Sequence, residues 1–117
     1  IQISEFLIKN TGEPNNWEND VNKLKVLGIV GSDRKLSNNK ITEFINLDYN
    51  TAKDKFKINV FDFYFSIKNL NGQIMEIDTK KIERGLKPSL NAKKAVTIKR
   101  FVVFGNEEKI VEFTLWK

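Results

Sequence analysis

Three features of this 117-residue chain predict an α+β fold. Apolar residues recur at helical spacing in the N-terminal half, two-residue alternation dominates from residue 61 onward, and Asn71-Gly72 and Gly105-Asn106 punctuate the alternating runs as hairpin turns do. Helices set apart from a run of antiparallel strands imply a sheet with one face packed on helix.

Residues 1–8 (IQISEFLI) read as the last turns of a helix that began upstream, and 10–17 (NTGEPNNW) stop it, as Gly and Pro do beyond a helix C-terminus. The expected division is 1–11, the C-terminal end of a longer N-terminal helix, and 12–117, the head domain. Residues 25–31 form a short β-branched run ending in Gly31 and read as a strand, followed by a polar turn at 32–35. Ser37 is placed to N-cap a helix with Ile41, Phe44 and Ile45 on its inner face. Asp48 is placed to cap a second helix with Tyr49, Ala52 and Phe56 on one side.

In 61–68 the side chains of Phe61, Phe63, Phe65 and Ile67 point one way, and those of Asp62, Tyr64, Ser66 and Lys68 the other. Beyond the Asn71-Gly72 turn, 74–77 should pair back antiparallel. Residues 78–94, basic and interrupted by Gly85 and Pro88, read as an exposed loop. Alternation returns over 95–104 and 109–117, joined by a turn at 105–108, which makes a second hairpin. The helix expected against the sheet is the N-terminal one, with Ile3, Phe6 and Leu7 facing Phe61, Phe63 and Phe65. Each buried Phe contributes on the order of 2 kcal/mol against the cost of ordering the chain.

One core suffices at this length. With 40% hydrophobic and 30% charged residues the chain is not compositionally disordered, and no run reaches the ~20 apolar residues of a membrane-spanning helix. The absence of Cys excludes disulfides and thiolate metal sites, and the absence of His removes the commonest general base and metal ligand. The carboxylates Asp33, Glu43, Asp48, Asp54, Asp62 and Asp78 lack calcium-loop spacing, and 28–32 (GIVGS) lacks the Gly-Lys-Ser/Thr ending of a phosphate loop. Asp62 and Glu76 are the one carboxylate pair that the first hairpin would bring together, more in the manner of solvated ion pairs than of an acid and base. No enzymatic activity, cofactor or metal is expected.

The net charge of +5 is uneven: residues 1–60 hold 9 basic and 8 acidic side chains, and 61–117 hold 11 and 7. Lys80, Lys81, Arg84, Lys87, Lys93 and Lys94 make the segment before the second hairpin a candidate polyanion surface, for nucleic acid or an anionic surface polymer. A solvated cationic loop is the simpler reading. Phe101 and Phe104 fall on opposite faces of their strand, so at least one belongs to the core. Tyr64 and Trp116 form either an exposed aromatic patch or a surface covered by the two short helices.

In order, 12–17 (GEPNNW) after a helix, 26–30 (VLGIV), 36–49 (LSNNKITEFINLDY), 62–65 (DFYF) and a closing hairpin ending in Leu115-Trp116 resemble the soluble head of archaeal type IV pilin-like proteins, the family made with class III signal peptides. The resemblance covers nearly the whole chain. It departs from many extracellular relatives in lacking an Asn-x-Ser/Thr acceptor and in its Lys-rich 79–100 segment.

The resemblance implies a major or minor structural subunit of a cell-surface filament. Its basic leader would be trimmed by a prepilin peptidase, and its apolar N-terminal helix would anchor it in the membrane before packing with those of other subunits. Gly12, Pro14 and Trp17 read either as a junction that fixes the angle between stalk and head or, more simply, as an ordinary helix-ending loop with one core Trp. The competing expectation is a small basic module that binds nucleic acid or another polyanion.

Overall fold

Each short helix begins where the sequence supplies a cap. Ser37 Oγ accepts the Lys40 N–H at 3.2 Å to start α1 (Asn38–Asn46), and an Asp48 carboxylate oxygen accepts the Thr51 N–H at 3.1 Å to start α2 (Tyr49–Phe56). α1 buries Ile41, Phe44 and Ile45, the stripe expected of it, and α2 buries Ala52. The computed structural model describes residues 7–31, 35–58 and 60–117. Ile3, Phe6 and the turn at 32–34 lie outside the described residues, so their expected places go unassigned.

The remaining elements are β1 (Asp62–Lys68), β2 (Glu76–Ile77), β3 (Lys80–Lys81), β4 (Glu83–Gly85), β5 (Ala95–Phe104) and β6 (Glu107–Trp116). The fold is α+β: the main sheet is antiparallel, in the order β4-β1-β6-β5, and β2 and β3 pair separately. The register sets Phe63 opposite Leu115, Phe65 opposite Phe113 and Ile67 opposite Val111, so these six side chains share one face. Phe63, Phe65 and Ile67 are fully buried there.

Both short helices cover that face. Phe63 lies among four rings, with centroids 5.0 Å away at Tyr49, 5.2 Å at Phe56, 5.8 Å at Phe113 and 6.4 Å at Phe44. Phe44 also meets Phe65 edge-on at 5.1 Å. Among the described residues the rings against Phe63 and Phe65 come from α1, α2 and β6, and of the three residues expected from the N-terminal helix only Leu7 is described. Two adjacent short helices present three aromatic rings at this spot, a wider apolar cover than one narrow stripe. Leu7 does join the core.

Two local expectations change. Residues 25–31 make no strand: the segment is extended and buried at Leu27, Ile29 and Val30, but forms only the isolated bridges Glu13–Val26 and Val30–Leu36. Its N–H groups are drawn elsewhere, Ile29 to the Leu7 carbonyl at 3.0 Å and Val30 to the Asn10 carbonyl at 3.1 Å.

The first hairpin also opens early. Its turn closes with Asn69 N–H donating to the Gln73 carbonyl at 2.8 Å, and Ile74 bridges Lys68, but β2 then leaves β1 to pair with β3 across Asp78 and Thr79, both at positive φ. β4 takes the vacated edge of β1. The basic 78–94 segment is therefore partly structured, and Ile82 within it is fully buried.

Candidate functional site

The described helical residues 7–9 end in a socket. A helix leaves its last carbonyls without partners; here the Leu7 and Asn10 carbonyls accept N–H groups from Ile29 and Val30 of the extended segment. Gly12 follows at φ +85°, and a Cβ there would stand 2.7 Å from both Trp17 Cδ1 and the Val26 carbonyl oxygen. Glu13-Pro14 is a cis peptide bond. Trp17 is fully buried, and its indole N–H donates to the Gly28 carbonyl at 2.9 Å. Gly28 is the second close approach, since a Cβ on it would lie 2.3 Å from the Asn10 carbonyl oxygen and 2.4 Å from the Gly12 nitrogen. Gly12 and Trp17 thus meet at one point, with Pro14 in the turn between them.

Lys40 completes the socket. It reaches in from α1, only 2% exposed, and its ammonium donates to the carbonyls of Thr11 at 2.6 Å, Asn15 at 2.6 Å and Val30 at 3.0 Å. Three donors meet three acceptors, so the buried cation is fully hydrogen-bonded. Burial holds its pKa below the ordinary lysine range, with the nearby Glu18 carboxylate pulling the other way. Sequence reading passed over this residue, although it lies four positions before Phe44 and so on the inner face of α1. An open cleft of about 550 Å³ runs beside it between Asn16, Glu18 and Ser37.

The six basic candidates do not gather. Lys80 contacts the Asn46 side-chain carbonyl and Arg84 Nε donates to the Leu47 carbonyl at 3.0 Å, both at the α1–α2 corner. Lys81 is exposed opposite Glu76 in the small hairpin. Lys87 lies over the Tyr64 ring, 5.6 Å from its centroid. Lys93 and Lys94 begin the far edge, where their N–H groups donate to the Lys117 carbonyl. From β4 to β5 the sheet spans three strand spacings, about 14 Å.

Tyr64 is buried, but not by the helices. Its hydroxyl donates to Glu83 at 2.6 Å, so β4 and Lys87 close that side of β1. Burial first, then the bond to Glu83, pushes its pKa well above the usual tyrosine value. On the helix side the Tyr49 hydroxyl donates to Asp62 at 2.6 Å and accepts the Phe63 N–H at 3.2 Å. Burial, reinforced by the bond to Asp62, pushes its pKa up to about 12. Asp62 also pairs with Lys53 at 3.3 Å, while Glu76 sits on β2 beyond the opposite end of β1, so the two carboxylates are not brought together. The Trp116 indole donates to the Leu86 carbonyl at 2.8 Å. Of the two phenylalanines in β5, Phe104 packs against the core and Phe101 is exposed.

Among the described residues no group of three or more acidic side chains stands close enough to hold a metal ion, and no helix is long and apolar enough to cross a membrane. The arrangement can hold a helix end at a fixed angle and present an open sheet edge. Comparison with known proteins finds no matching family model, no matching curated protein and no matching solved structure.

Proposed function

We propose that the chain is the head domain of an archaeal type IV pilin-like subunit, displayed at the cell surface and assembled through an apolar helix continuous with residues 7–9. The observation that supports this reading is the socket. Helix end, Gly12-to-Trp17 turn, extended segment and Lys40 are tied together by hydrogen bonds and by two contacts that only glycine permits. A joint of that kind transmits load and fixes orientation between a helical stalk and a head, and it offers nothing to a reaction. In this reading the partners are other subunits, with a prepilin peptidase and the membrane acting on the precursor, and the head performs no bond chemistry.

The test is the genomic sequence upstream of the Ile1 codon. The reading expects a short basic leader followed by about 20 apolar residues running in helical phase into residues 1–8. A start codon a few residues before Ile1, with no such segment, overturns it.

A further inference from the structure

We propose that the free edge of β5 is a docking site for an extended acidic peptide strand contributed by another protein. The inference is independent of the assembly reading. β5 is ten residues long, pairs with β6 without interruption from Ala95 to Phe104, and has no other strand beside it among the described residues.

Hydrogen bonding in an antiparallel pair alternates, and Lys94 exchanges both main-chain bonds with Lys117. The next pairs of that kind are Val96–Leu115, Ile98–Phe113 and Arg100–Val111. The N–H and C=O groups of Ala95, Thr97, Lys99, Phe101 and Val103 consequently point away from the sheet. That row is the template to which an added strand pairs, with the Lys99 carbonyl already accepting from Arg100 Nη1 at 2.9 Å, a bond that the strand would share or displace.

Edges are commonly blunted by proline, by a bulge, by shortness or by charge. Only charge is used here, and it has one sign: β5 carries Lys99 and Arg100, is preceded by Lys93 and Lys94, and contains no acidic residue. Glu112, directly across from Lys99, is already held by Lys68 at 2.7 Å. In a symmetric pairing centred on the strand Lys99 meets its own duplicate, so the edge disfavours a second copy of itself in that register. It favours a partner with carboxylates.

Phe101 and Val103 supply an anchor. They are 74% and 48% exposed and share one face of the strand, two residues apart, at the spacing of successive same-side residues of an added strand. The peptide backbone, rather than a nucleic acid, is the ligand that matches alternating donors and acceptors along an edge.

The probe is a fluorescent ten-residue peptide of alternating Glu and Val, titrated into the 117-residue protein at physiological salt, with an N-methylated copy of the same sequence as control. Binding is expected, with slowed amide exchange at Thr97, Lys99, Phe101 and Val103. The N-methylated peptide, unable to donate along the edge, should bind at least about tenfold more weakly. Thr97→Pro removes an outward N–H and no β5–β6 main-chain bond, giving up only the 2.8 Å hydroxyl contact with Thr114, and should weaken binding similarly, while Thr97→Val controls for that contact and circular dichroism reports that the sheet persists. No binding at millimolar peptide, equal binding of the N-methylated copy, or displacement of the peptide by a short oligonucleotide at lower concentration would each overturn the proposal, the last in favour of a polyanion surface.

Discussion

β1 and β5 belong to one sheet, lie two positions apart in it and are both rich in aromatic and β-branched residues, yet their fates are opposite. In β1 every residue from Phe63 to Ile67 is buried, on both faces. In β5 no residue is buried, and Phe101 stands in solvent. Apolar content made both into strands; neighbours decided which became core. β1 has strands on both edges, aromatic helices on one face and polar locks on the other: Tyr64 with Glu83, and Lys68 with Glu112. β5 has β6 alone.

The largest test of that contrast is a matched truncation. Phe63→Ala empties a site surrounded by Tyr49, Phe56, Phe113 and Phe44 and should cost about 3–5 kcal/mol in urea unfolding. Phe101→Ala removes the same atoms from water-exposed surface and should stay within about 0.5 kcal/mol. Comparable losses in the two variants would erase the distinction between the strands.

Lys40→Met is the next largest. The apolar chain fits the volume of the lysine stem but leaves the Thr11, Asn15 and Val30 carbonyls without their donor, at a cost of about 2–3 kcal/mol. The loss should be local first, so amide exchange at Ile29 and Val30 should accelerate before the sheet amides change. A variant as stable as the parent would mean that the socket does not depend on its buried cation.

Much of this was legible from residue order. Ser37 and Asp48 announce the helices because their side chains satisfy amides that nothing else reaches, and 61–68 announces itself by period two. The socket was legible only in part. Gly12, Pro14 and Trp17 signal a stop, but Gly28 looks like an ordinary strand glycine until Asn10 is laid against it, and Lys40 looks like a surface lysine unless its phase with Phe44 is followed inward. β2 to β4 were hidden for a different reason: strands of two or three residues are too short to show a period, and Ile82 alone marks the buried register. Nothing local distinguishes β1 from β5, because the number of neighbours a strand acquires is decided by parts of the chain far away in sequence.

The smallest effect concerns whether both faces of β1 are shut. The chain has two tyrosines, Tyr49 against the helix-side face and Tyr64 on the reverse face, and each donates its hydroxyl to a carboxylate. Both pKa values lie above the ordinary phenol value, Tyr49 at about 12 and Tyr64 higher still. Folding favours the protonated phenol in each case, so their contribution is intact below pH ~10, the unfolded value, and is lost as the pH climbs through about 12. Absorbance near 295 nm should therefore show almost no phenolate in the folded protein at pH 10.5, with ionisation arriving only above that or together with alkaline unfolding. Tyr64→Phe should leave a single late transition from Tyr49, and Tyr49→Phe a single, later one from Tyr64. One phenol ionising near pH 10 in the native protein would identify which face of β1 is open and would bring that side of the strand closer in character to β5.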